Sequence, residues 1–134
     1  MAGVDLKEKA LTLLSTTSVS VVTAGATTLY TVPTGKRCVL HSAILVHNSA
    51  GVTSVTGQVT IGQVGALTDF VGTQTLTNLA AQYDAVIVQP VPHASVPVKT
   101  KCYAAGTIIQ MNVSTADTDG PTVLVMLYGT LYDA

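Results

Sequence analysis

Three histidines, six aspartates and one glutamate are the groups with which this chain could do acid–base, nucleophilic or metal chemistry. A hydrolytic site needs a nucleophile, a base and an orienting acid within mutual reach. His41 and His47 stand on one unbroken strand-like run, and six residues of extended chain set them about 20 Å apart, too far to share one small site. No Gly-x-Ser-x-Gly elbow is present. Asp117-x-Asp119-Gly120 is similar to a fragment of a calcium loop, but the remaining ligands and the closing Glu are missing, so an Asx turn before Pro121 is expected. His93 stands between prolines and reads as a solvated loop residue. No Cys and His lie at zinc-binding spacing. Asn112-Val113-Ser114 matches a glycosylation sequon inside a strand pattern and is expected to be silent. The glycines at 57, 62 and 65 fall in strand-like sequence with no helix after them, so no phosphate loop is built. These residues predict no catalytic site, no metal site and no cofactor, and hence a protein that is not an enzyme.

The elements that would carry these residues read mostly as strands. The longest pattern follows Val32-Pro33-Thr34-Gly35, where proline sets φ for a turn and glycine closes it. From Lys36 to Asn48 no breaker occurs. Its even positions, Cys38, Leu40, Ile44 and Val46, are apolar around Ser42, and are expected to face a core. Its odd positions mix Val39, Ala43 and Leu45 with Arg37, His41 and His47, and are expected to face outward. Further strands are predicted over 18–23, 52–64, 84–89, 99–103, 106–114 and 122–132, with Gly57 and Gly62 marking a bulge or bend. Residues 66–83 read as irregular, with one helical turn around Leu76, Leu79 and Ala80. Pro90, Pro92 and Pro97 make 90–98 a loop or edge segment. The last strand is apolar on both faces, with Val123, Val125, Leu127 and Leu131 on one and Leu124, Met126, Tyr128 and Tyr132 on the other. One helix is expected, over residues 5–14: Asp5 and Glu8 have capping-box spacing, and Leu6, Ala10, Leu13 and Leu14 gather on one side.

Bulk properties agree with a sheet protein. The 134 residues suit one domain, 48% of them are apolar, and only 10% are charged. Threonine takes roughly one residue in six, and a Val/Thr/Ile/Gly-rich chain favours strands. The expected architecture is all-β: a single β-sandwich of jelly-roll type with about eight strands over 18–134, preceded by a helical arm over 1–17. A net charge of −1 with six scattered basic residues argues against nucleic acid. No apolar run reaches the length of a membrane span. Glu8 and Lys9 sit where the apolar core of a signal peptide would lie. Cytoplasmic synthesis follows, and Cys38 and Cys102 then read as reduced, buried small hydrophobes, with a disulfide between them as the minor alternative.

Three segments hold more apolar residues than one core needs. They are the N-terminal arm (Leu6, Ala10, Leu13, Leu14), the odd face of the long strand (Val39, Leu45) and the even face of the last strand (Leu124, Met126, Tyr128, Tyr132). Either loops and the arm cover them, or they pack against other subunits, because monomers rarely keep large apolar patches exposed. The Lys36-Arg37 pair is a solvated strand entrance, or else a contact for an acidic partner surface.

The stretch LYTVPTGKRCVLHSAILVHNSAG and the close AGTIIQMNVSTADTDGPTVLVMLYGTLYDA resemble small β-sandwich virion proteins of tailed bacteriophages. The resemblance covers roughly residue 27 to the end, with the middle least matched. It implies a jelly-roll or related sandwich that attaches to a capsid as a decoration (cementing) protein, made in the host bacterial cytoplasm and located on the capsid surface of the virion. The partners implied are the major capsid protein and further copies of the chain, as dimers or trimers. The alternative is a tail or fibre component carrying a receptor- or glycan-binding sandwich; the scarcity of aromatics, with Phe70 and Tyr83 in the middle and no Trp, weighs against it.

Overall fold

Runs of β-branched and aliphatic residues broken by Gly, Pro and Asn fold here into nine strands among the described residues. The computed structural model describes residues 11–50, 55–91 and 95–134. The strands are β1 (Thr12–Ser20), β2 (Gly25–Thr31), β3 (Lys36–His47), β4 (Gln58–Gln63), β5 (Ala66–Thr75), β6 (Ala85–Val88), β7 (Cys102–Tyr103), β8 (Ile108–Thr115) and β9 (Thr122–Asp133). A single 3₁₀ turn, Thr77–Leu79, precedes β6, where one helical turn was expected. All strand pairing among the described residues is antiparallel, and four of the pairs are nested: β4 with β5, β3 with β6, β2 with β8, and β1 with β9. Further pairing of β3 with β9 and of β4 with β8 joins these into two sheets, β1-β9-β3-β6 and β2-β8-β4-β5, with short β7 added beside β3.

The core fills the space between the sheets. Leu40, Ala43, Leu45, Val123, Val125 and Leu127 come from the first sheet, and Val59, Ile61, Ile109, Met111 and Val113 from the second. On β8 and β9 the odd residues point inward, as the period-two pattern predicts. At the turn into β3, Lys36 N–H donates to Pro33 O at 3.2 Å and Gly35 holds φ at +77°. That left-handed value is what a type II turn requires at its third position.

The long strand departs from the alternation expected of it. Leu40 pairs with Gly129 and Ser42 with Tyr128, so His41 is an extra residue, a one-residue β-bulge. A bulge reverses the parity of every residue beyond it. Cys38 and Leu40 face the core before it; Ala43, Leu45 and His47 face the core after it. Leu45 and His47, expected on the outer surface, are therefore 0% exposed, while Ile44 and Val46, expected in the core, are half-buried on the outer face.

The helix expected over 5–14 is corrected where it can be seen. Residues 1–10, with Leu6 and Ala10, lie outside the described residues; from Thr12 the chain is β1. The helical spacing of Leu6, Ala10, Leu13 and Leu14 is outweighed from Thr12 onward by β-branched Thr12, Thr16, Thr17 and Val19 and by the backbone of β9, which β1 pairs along its whole length. Leu14 is itself a bulge residue, because Leu13 pairs with Tyr128 and Ser15 with Leu127. Residues 66–75, read as irregular, form β5; two register shifts against β4 blur its alternation. Gly62 lies at one of them, and an added Cβ would run into the Ala66 carbonyl.

The strand expected over 52–64 is confined to β4 among the described residues, and residues 51–54 lie outside them. Asp117 organises the loop before β9. One carboxylate oxygen accepts from Thr56 N–H at 2.7 Å and the other from Asp119 N–H at 3.1 Å, the expected Asx turn. The Thr56 bond above all holds the Asp117 carboxyl below its usual range. A carboxyl depressed in the folded state adds stability that is present above its unfolded value, about 3.9, and is lost as pH falls through the folded one. Asp117→Asn is expected to lower stability at pH 7, with the gap to wild type closing as pH drops below about 4 in urea titrations. A gap that stays constant with pH would show that the carboxylate charge is irrelevant.

Gly129 supplies a second check. A Cβ there would meet Val39 O at 2.6 Å and Leu14 Cδ1 at 2.9 Å. Gly129→Ala is expected to lower stability by about 1–3 kcal/mol through overpacking, seen as a lower urea midpoint at unchanged slope.

Candidate functional site

Among the described residues, the groups with chemical potential stand apart from one another. His41 is exposed at the bulge, and its Nδ1 lies 2.9 Å from Ser42 Oγ. The two share a face because a bulge sets consecutive side chains on the same side. Ser42 is buried, and no described Asp or Glu bonds His41, so the pair lacks both access and an orienting acid. His47 points the other way, into the core. Its Nδ1–H donates to Leu79 O at 2.6 Å, and Nε2 has no partner among the described residues. Its backbone also accepts from Tyr83 N–H at 2.7 Å and donates to Asp84 O at 2.9 Å, so His47 fastens the 3₁₀ turn and the start of β6 to β3. Its role there is structural.

Asp69 on β5 accepts from Tyr103 Oη–H at 2.7 Å and Gln63 Nε2–H at 2.7 Å, with Lys101 Nζ at 3.7 Å. These bonds tie β7 to the second sheet, and burial followed by the Asp69 bond pushes the Tyr103 hydroxyl pKa upward. No group of three or more His, Cys, Asp or Glu is placed to hold a metal ion among the described residues. An open groove of about 280 Å³ runs along Leu40, His41, Gln89, Pro90, Val98 and Thr100. Among the described residues that line it there is no Phe, Tyr or Trp and no Asp, Glu, Lys or Arg on which to fix a ligand.

The feature that stands out is the outer face of the first sheet. Strand register aligns its side chains in rows. One row runs Thr16, Met126, Ile44, Ile87; the next runs Ser18, Leu124, Val46, Ala85. Leu13 lies beside Tyr128 in a third. Ile87 is 66% exposed and Leu13 is 47% exposed, while Leu124, Met126, Tyr128, Ile44 and Val46 are half-buried. Among the described residues, this contiguous apolar face contains no charged side chain. Beyond the bulge the surface turns polar, with Val39 flanked by Thr130 and Cys102, then Arg37 beside Tyr132 and the Lys36–Asp133 ion pair at 2.7 Å.

Of the residues singled out from the sequence, the structure brings Leu13, Leu124, Met126 and Tyr128 together here, with Val39 and Tyr132 toward the polar end. Leu14 and Leu45 do not belong: Leu14 packs against the core at its bulge, and Leu45 is inside. Ile44, Val46 and Ile87 were missed. The exposed Ile87 follows from β6 being an edge strand with one face open, which the short apolar run DAVIVQ does not disclose.

Cys102 is exposed, not buried as expected, and both cysteines are free. Val39 pairs with Cys102 and Cys38 with Tyr103, so the two thiols occupy opposite faces of the sheet. Cys102 Sγ lies 2.8 Å from Tyr132 Oη, a contact that raises the tyrosine pKa. Burial, aided by the neighbouring Cys102, pushes the Cys38 thiol up to about 12. Native protein is expected to react with one equivalent of a disulfide reagent, at Cys102, and with a second only after unfolding. Two fast equivalents in the folded protein would contradict this placement.

No family model matches the sequence. No curated protein matches it significantly. The fold is similar to that of a solved chain described as "Cyanophage Pam1 capsid asymmetric unit", with a TM-score of 0.54, 14% identity, and coverage of 100% of this chain and 92% of that one. At that identity the likeness is one of fold. Among the described residues no helix is long and apolar enough to cross a membrane.

Proposed function

We propose that this chain is a non-enzymatic structural protein of a tailed-phage virion: a jelly-roll sandwich that binds the outer capsid surface and stabilises the shell by bridging major capsid subunits. The nested pairing of β1 with β9, β2 with β8, β3 with β6 and β4 with β5 supports the jelly roll. The fold likeness to a chain of a cyanophage capsid unit, spanning the whole of this one, supports the virion. The observation that carries the reading is the uncharged outer face built from Leu13, Ile44, Val46, Ile87, Leu124, Met126 and Tyr128. A face so composed is suited to docking on protein.

The mechanism is mass action. A ligand that binds assembled subunits and not free ones shifts the equilibrium toward the shell, and repetition over a symmetric lattice adds avidity to modest contacts. Removing a Met or Ile side chain fully from water contributes about 1.5–3 kcal/mol; the half-buried ones here supply less. Nucleic acid and membrane are not partners in this reading, since the net charge is −1 and the basic residues are scattered. Copies self-associate as dimers or trimers on the shell.

The test uses particles of the encoding phage prepared without this chain. Added wild-type protein is expected to co-sediment with them and raise the temperature at which they release DNA. Ile44→Asp with Met126→Asp, at unchanged circular dichroism, is expected to weaken binding about tenfold or more, since each 1.4 kcal/mol is a factor of ten. Undiminished binding by that variant removes the outer face from the mechanism, and no binding by wild type removes the virion reading.

A further inference from the structure

The two flanks of the sandwich are built differently. On one, β5 and β6 are the terminal strands of their sheets. β6 is only four residues long and is followed by Gln89 and Pro90, and β5 carries Asp69 near Lys101. Short strands, proline and charge are devices that keep a sheet edge from pairing with another chain. On the other flank β1 and β2 are the terminal strands, and they are in contact with each other. There proline and charge are absent from both strands, and the one bulge of β1, at Leu14, leaves Ser15 to Ser20 in regular register. From Ala10 to Gly35 the sequence has no Asp, Glu, Lys, Arg or His, and its one proline, Pro33, lies beyond both strands. β1 is nine residues long and, among the described residues, pairs with β9 alone. Its far edge offers an unguarded row of backbone donors and acceptors.

We propose that β1 is the edge through which two copies of this chain pair, strand to antiparallel strand, about a two-fold axis. This deepens the self-association in the reading above by naming its surface and its geometry. Three features select a second copy as the occupant. An isologous contact sets each residue type against itself or a near neighbour, and an edge without charge meets its own copy with no like-charge repulsion. Pairing centred on Ser18 sets Thr16 opposite Ser20 of the partner subunit, and cross-strand hydroxyl pairs are favourable. Thr16, Ser18 and Ser20 are all exposed, so nothing described blocks their approach. β1 rather than β2 is chosen because its outer side is continuous with the apolar face, at Leu13 beside Tyr128 and Thr16 beside Met126. Joining β1 to its copy fuses two five-stranded sheets into one and doubles a single apolar face.

The experiment is done on full-length chain in free solution, by sedimentation velocity over a concentration series. Wild type is expected to be a dimer. Thr16→Lys with Ser18→Lys places like charges across the proposed seam and is expected to weaken dimerisation about tenfold or more. Thr16→Glu with Ser18→Glu is expected to do the same, and mixing the two variants is expected to restore a dimer with one chain of each. Circular dichroism and thermal unfolding check that each variant is folded, and recovery on mixing cannot come from misfolded chains. A monomeric wild type, a trimer, or a Lys variant as dimeric as wild type overturns the proposal. Mass in free solution is independent of particle protection. A β1 dimer that leaves particles unprotected retires only the virion reading; a monomer that protects them retires only this one.

Discussion

The register of β9 between β1 and β3 is the constraint on which the rest depends. β9 is the inner strand of the first sheet, and it is bulged against both neighbours at nearly the same height. Leu14 is the extra residue on one side and His41 the extra residue on the other, both opposite the segment Leu127 to Gly129. Gly129 sits where the two distortions meet, with the Val39 carbonyl and the Leu14 side chain in the space a Cβ would need. One extra residue per neighbour decides which side of each strand is core. Without the His41 bulge, Leu45 and His47 would stand in water and Ile44 and Val46 would be inside.

That parity change makes the outer face apolar. β9 brings Leu124 and Met126 outward by simple alternation. The bulge delivers Ile44 and Val46 to the same side in the same rows, and β6 adds Ile87. A sheet whose inner face is filled by Val123, Val125, Leu127 and Leu45 has no need of a second apolar face for its own stability. That surplus is the observation on which the proposed docking to other subunits rests. The buried His47, by contrast, is consumed internally, binding the turn at Leu79 through its ring and the start of β6 through its backbone.

Much of the fold was legible in the sequence. The alternation in Thr122 to Tyr132 located β9 and its two faces, and the strand expected over 106–114 is β8, since both strands run straight through the core. The Pro33–Gly35 turn, the Asx turn at Asp117 and the helical turn near Leu79 were readable because their chemistry is local. β5 was not, because an edge strand with Asp69, Gly72 and two register shifts has neither hydrophobic alternation nor a compact apolar run. The start of β1 was misread as helix because leucine spacing is a weak prior, and long-range pairing with β9 overrode it. Of the residues expected to face outward, those on β9 and Val39 on β3 do so, while Leu45, beyond the His41 bulge, was placed one residue out of phase.

The sequence alone determined the class of structure: composition and period two call for sheets, and the punctuation calls for short strands. Only the tertiary structure decided which residues of β3 face water, that Cys38 and Cys102 stand on opposite faces, and that β1 and β2 form one uncharged flank. The reason is that a bulge is a property of two strands together. Nothing within Lys36 to His47 marks His41 as the residue to be left out of the ladder; that follows from how many residues β9 offers opposite it, and from the absence of a side chain at Gly129.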